Sequence, residues 1–316
     1  MLVFAARWSC WASYLSANLH ESIKLRSHHL TIIALIIFIL PLKAFSAPDV
    51  HRPYTLDRSE VIDFHAKANG KEYEIYIKLP ENYGKNAGQK FPLVVLTDGY
   101  YAFPLVSSIN WRMSERNQVY EQSIIVGISY SKGDDINKSR SRDYTPSFSP
   151  NEKFNTKAAQ AESGQAKLFI QFIAQELLPY LMSHYAVDPT KKIFAGHSYG
   201  GLLGTYILLT QPNLFDYYLI GSPSLWYGDK VMFSLEADYA KTHRDLKAKV
   251  FMATGAEEKG PDNGMVKNML ALDKHLQARR YPQLQITTRV IPDEGHLSGY
   301  PTFITQGLLW ALPLKN

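Results

Sequence analysis

Cysteine is nearly missing from this 316-residue chain: the one residue of that type is Cys10. It lies in a segment that reads as a removable leader, so the mature chain is expected to hold no thiol. That excludes disulfides, a cysteine nucleophile and thiolate metal sites, and it suits an oxidising compartment. A surplus of one charge sign is missing too. Lys and Arg number 34 against 29 Asp and Glu, and without Arg7, Lys24, Arg26, Lys43 and Glu21 of the leader the formal net charge falls from +5 to +2. So small a balance gives no support to a nucleic-acid or polyanion partner. Nor is there a long apolar run. Leu30–Leu40 is about eleven residues, where a bilayer span needs roughly 20. Internal repeats, low-complexity stretches and an interdomain linker are likewise absent.

What is present begins with that short apolar block. Lys24 and Arg26 precede it, and Ala44 and Ser46 occupy the −3 and −1 positions of a cut before Ala47. This is the form of a secretory signal peptide. The expected organisation is therefore residues 1–46 as signal peptide and 47–316 as one domain. A periplasmic or secreted location and no stable membrane span after cleavage follow from it.

Past the leader, "VIDFHA" and "KEYEIYIKLP" alternate apolar and polar residues around Asn69-Gly70, a hairpin signal. "FPLVVLTDG" and "QSIIVGISY" are continuous apolar runs, as in strands buried on both faces. Ser131 to Lys157 is polar with no clear period and reads as a long excursion. Leu168, Phe169, Phe172, Ile173, Leu177, Leu178 and Leu181 mark a helix. "KKIFAGHS", "DYYLIGSPS", "KVFMATG" and "QLQITTRVI" then read as strands with helical stretches between, closed by a helix over about 300–312. Strands alternating with helices predict a mostly parallel sheet covered on both faces, preceded by an antiparallel hairpin.

Gly196-His197-Ser198-Tyr199-Gly200 matches G-x-S-x-G between a strand and a helix, the context that the nucleophile elbow requires. Side chains flanking a nucleophile on so sharp a turn would collide, and glycines two before and two after remove the collision. A serine needs a base, expected after the last strand. Of the three later histidines, His243 and His275 sit in charged helical stretches. Only His296, in "VIPDEGHLSGY", stands where the base belongs. The acid is expected after "KVFMATG": Glu258 first, with Glu257 and Asp262 behind it. The oxyanion donors expected are the amide of Tyr199 and, from the loop after "LVVLTDG", that of Tyr100. No metal or organic cofactor is implied.

Together "LVVLTDGYYAF", "SRSRDYTPSF", the serine elbow with "GSPSLWY", "ATGAEEKG" and "DEGH" resemble the Fes/esterase D branch of the α/β-hydrolase superfamily, closest to bacterial siderophore (trilactone) esterases. The resemblance implies an α/β-hydrolase fold without a large separate lid, and Ser198 with His296 as the working pair. Some members of the branch lack a well-placed acid, which leaves Glu258 open. In the long excursion Arg140, Arg142 and Tyr144 are candidates to bind a ferric siderophore, the alternative being that Arg142 pairs with Asp143 to order the loop. Tyr100, Tyr101, Phe103 and Trp226 are candidate walls of an aromatic-accepting cleft, or else core. The expected activity is serine carboxylic-ester hydrolysis on small acyl esters, with siderophore trilactones a close rival. A non-catalytic siderophore or lipid carrier on the same fold, and an acyltransferase, are the alternatives.

Overall fold

Apolar alternation around Asn69-Gly70 becomes the first two strands, β1 (Ser59–Ala66) and β2 (Lys71–Lys78), paired antiparallel across a turn in which Gly70 takes φ 67°. The computed structural model describes residues 51–152, 155–260 and 264–314, so the expected signal peptide, Cys10 and Asp262 lie outside the described residues. The remaining elements in chain order are β3 (Phe91–Leu96), α1 (Gly99–Asn110), β4 (Ile124–Ile128), α2 (Ile136–Tyr144), α3 (Lys157–Glu162), α4 (Ala166–Phe172) and α5 (Leu178–His184). Then come β5 (Val187–His197), α6 (Tyr199–Thr210), β6 (Tyr217–Gly221), α7 (Tyr227–Thr242), β7 (Ala248–Gly255), α8 (Met265–Arg279), β8 (Leu284–Ile291) and α9 (Gly299–Ala311).

The eight strands form one sheet in the order β1-β2-β4-β3-β5-β6-β7-β8. β2 joins β4 antiparallel, and every pairing from β4 through β8 is parallel. The continuous apolar runs are the central strands: all of β3 and β4 is buried. Alternate residues feed two cores, one on each face. Leu93, Val95 and Phe194 belong to one; Val94, Leu96, Ile193 and Phe251 belong to the other. This is how strands covered on both sides use an unbroken apolar sequence.

The excursion from Ser131 holds a helix that its polar sequence did not announce: α2, capped by Asp135, whose carboxylate accepts from the amides of Asn137 at 2.9 Å and Lys138 at 3.4 Å. No apolar period betrays it because its buried face is polar. Ser139, Ser141, Arg142 and Asp143 are all buried, and Arg142 Nη2 donates to Asp143 at 2.8 Å and to Ser131 Oγ at 2.9 Å. No helix among the described residues is long and apolar enough to cross a membrane.

Candidate active site

β5 ends at His197 and α6 begins at Tyr199, leaving Ser198 alone on the turn with φ 61° and ψ −117°. A side chain held there costs of order 1–3 kcal/mol and persists only where surrounding contacts enforce it. Those contacts are present. The Ser198 amide donates to the Gly221 carbonyl at 3.0 Å. A Cβ on Gly196 would lie 2.3 Å from the Gly200 carbonyl oxygen, and one on Gly200 would lie 2.3 Å from Thr97 Oγ1. Glycine at both positions is thus a packing requirement of the turn.

Three strand ends bring the polar groups together. Ser198 follows β5, Glu258 follows β7 and His296 follows β8. His296 Nε2 lies 3.1 Å from Ser198 Oγ, and its Nδ1 lies 2.6 Å from Glu258 Oε2. The other carboxylate oxygen, Oε1, accepts from Ser222 Oγ at 2.7 Å and from the Gly255 amide at 2.9 Å. Burial acts to raise the Glu258 carboxyl, but the hydrogen bonds from His296, Ser222 and Gly255 outweigh it and hold the group below its usual value. It is therefore a carboxylate at neutral pH, able to accept the imidazole N–H. Of the other acids weighed, Glu257 is exposed and faces Lys259 at 3.8 Å.

Beneath this trio lies His197, which sequence reasoning passed over as motif filler. It is buried, its ring 4.6 Å from that of His296 and 5.4 Å from that of Tyr300. Burial pushes its imidazole down to about 3, with His296 as the second contributor, so it is neutral beside that second imidazole. His243 and His275 are remote from the trio, stacked on Tyr239 and set 3.4 Å from Glu236 respectively.

The Tyr100 and Tyr199 amides each open a helix, where no carbonyl of the preceding turn is available to them. Asp98, before α1, is buried in the left-handed region at φ 55°. Its amide donates to Tyr144 Oη at 3.0 Å, and its carboxylate accepts from Arg140 Nε at 2.7 Å and Nη2 at 3.3 Å. The Arg140 guanidinium also lies over the rings of Tyr199, at 5.6 Å, and Tyr144, at 5.8 Å.

Above Ser198 and His296 opens a cleft of about 470 Å³, walled by Asn137, Arg140, Asn155, Tyr199, Trp226 and Met265. Of the residues expected to bind substrate, Arg140 and Trp226 reach it. Arg142 and Tyr144 do not, which corrects that part of the expectation. Arg142 is drawn inside by Asp143 and by Asp134 at 2.5 Å, and the Tyr144 hydroxyl is spent on Asp98. Tyr101 and Phe103 turn away as well, packing on Tyr300 and Tyr76. The Tyr100 side chain is exposed and lines a separate cleft with Tyr76 and Tyr130. Asn137, Asn155 and Met265 went unnoticed in the sequence because no motif marks them. No group of three His, Cys, Asp or Glu residues suited to a metal occurs among the described residues.

Comparisons with known proteins bear on the family and the fold. The family model described as "Putative esterase" matches residues 66–290. A ferri-bacillibactin esterase, BesA of Bacillus subtilis, is 26% identical over 266 residues, covering 82% of this chain and 91% of the relative. A siderophore triacetylfusarinine C esterase of Aspergillus fumigatus is 27% identical over 200 residues, 61% of this chain and 66% of the relative. The crystal structure of the BES protein from Bacillus cereus superposes with a TM-score of 0.71 at 25% identity, over 84% of this chain and 98% of that one. The chain belongs to this esterase family: it is an ester-hydrolysing enzyme on an α/β-hydrolase fold.

Proposed function

We propose that the chain is a serine esterase in which Ser198, His296 and Glu258 act as a charge-relay site. The observation that carries this reading is the imidazole of His296, placed 3.1 Å from the Ser198 hydroxyl by one nitrogen and 2.6 Å from the Glu258 carboxylate by the other. His296 takes the hydroxyl proton as Ser198 Oγ bonds to the ester carbonyl carbon. Glu258 steadies the resulting imidazolium. The oxyanion is received by the Tyr199 and Tyr100 amides at their helix N-termini. His296 returns the proton to the departing alcohol, and water, deprotonated by the same imidazole, releases the acid from Ser198.

The substrate proposed is a small acyl ester, with a siderophore ester as the narrower form that the names of the relatives support. The cleft favours ligands of low net charge. Its guanidinium, Arg140, is already paired by Asp98, while Glu257 and Glu258 also line it. An uncharged ester fits this lining better than a highly anionic iron complex. The leader pattern of residues 1–46 supports a reaction outside the cytoplasm, and a mature mass beginning at Ala47 tests that. For the chemistry, p-nitrophenyl acetate and iron-free and ferric siderophore esters are offered to wild type and Ser198→Ala. Turnover by wild type alone, with a fluorophosphonate label on Ser198, is expected. Equal rates for the two proteins sink the reading. Ester products formed from added alcohols would move it to acyl transfer.

A further inference from the structure

The segment after β6, Ser222-Pro223-Ser224, touches both ends of the charge relay without having been assigned any part in it. Ser222 is 3% exposed and holds φ 37°, a conformation that L-residues other than glycine rarely adopt. Glycine would occupy that backbone free of strain. What glycine lacks is the hydroxyl, and Ser222 Oγ donates to Glu258 Oε1 at 2.7 Å. The backbone around it is pinned: the Ser222 amide donates to the Ala253 carbonyl at 2.8 Å, and the Ser224 amide to the Ser198 carbonyl at 3.2 Å.

A glutamate carboxylate anchored by one donor can still swivel about its terminal torsion, which is broad. The Gly255 amide, at 2.9 Å, is such an anchor. A second donor on the same oxygen fixes the carboxylate plane. We propose that Ser222 is a positioning residue, strained so that its hydroxyl clamps Glu258 Oε1 and leaves Oε2 aimed at His296 Nδ1. Backbone strain stored at this position is then the cost of orienting the imidazole toward Ser198. The inference rests on the charge-relay reading above.

Ser222→Gly and Ser222→Ala test it, measured on an ester substrate beside Glu258→Gln and the double variant Ser222→Gly/Glu258→Gln. Both single Ser222 variants lose the hydroxyl, but glycine relieves the strain and alanine keeps it. The expected result is a fall in kcat of about tenfold in both, the order set by losing one hydrogen bond to a charged group. KM is unchanged, and the Tm of the glycine variant lies above that of the alanine variant. On the Glu258→Gln background, Ser222→Gly brings no further loss. If kcat merely tracks Tm, or if both Ser222 variants keep wild-type kcat while Glu258→Gln loses it, the clamp is overturned and the charge relay stands. If Glu258→Gln itself keeps wild-type kcat, the charge relay falls and the clamp with it.

Discussion

Ser198 and His197 are neighbours in sequence with opposite environments: one hydroxyl opens onto the cleft and one imidazole is sealed beneath it. The buried imidazole makes the protein sensitive to acid in a predictable window. In the fold His197 stays neutral down to about pH 3, whereas in the unfolded chain it takes up a proton near its ordinary value of about 6.5. Between those limits the unfolded state binds the extra proton, so stability falls as pH falls, by at most about 1.4 kcal/mol per pH unit. Glu258 adds to this lower down. Its folded value is depressed, so its contribution is present above the ordinary carboxyl range and is lost as pH drops through the folded value. Urea titrations from pH 6.5 to 5 read this contribution, and His197→Asn is expected to flatten the slope there. At the same scale, Ser198→Ala is expected to lower kcat by about 10⁴-fold or more with no loss of folded structure by circular dichroism.

Single elements carry strain and charge that no residue carries alone. The turn into α6 has room for nothing beyond glycine at position 200, where an added Cβ meets Thr97. Gly200→Ala is expected to cost about 1–3 kcal/mol in overpacking. The atoms it meets belong to the side chains of Thr97 and Asp98, just before the helix that carries the Tyr100 amide, so kcat should fall more than stability alone explains. Helix α2 is organised by Arg142, 1% exposed between Asp143 and Asp134. Arg142→Ala leaves the buried Asp143 carboxylate without its guanidinium and is expected to cost about 3–5 kcal/mol by denaturant titration. Substrate affinity should suffer with it, because α2 also carries Asn137 and Arg140 into the cleft. The sequence concealed this helix for a physical reason: its buried face is held by ion pairs and hydroxyls, and hydrophobic periodicity registers only helices that bury apolar surface.

At the scale of the whole molecule, the sheet delivers three loops to one edge and packs a core against each face. Phe303 on α9 is buried against Phe251 and Tyr300. Phe303→Ala is expected to cost about 3–5 kcal/mol, read as a lowered urea midpoint with an unchanged slope. The chain from Ala47 onward contains no cysteine. Its activity should survive iodoacetamide, its Tm should be indifferent to reductant, and a fluorophosphonate should abolish turnover.

Local chemistry determined a good deal by itself. Unbroken apolar runs made the central strands, Asn69-Gly70 made the hairpin, and the two glycines around Ser198 marked a turn too tight for side chains. Those features depend on neighbours in the chain, so the chain reports them. His296 was legible because position after the last strand is a topological requirement. Tertiary structure alone decided the rest. It set Glu258 rather than Glu257 against His296, because that contact turns on which carboxylate meets Ser222 and the Gly255 amide. It kept Arg140 in the cleft and drew Arg142, two residues on, into the interior, since burial of a guanidinium depends on acids brought close by folding. It also seated His197 under His296, a contact between residues 99 positions apart. Pairings across such separations leave no periodic trace in a sequence; they exist only once the sheet has brought its strand ends together.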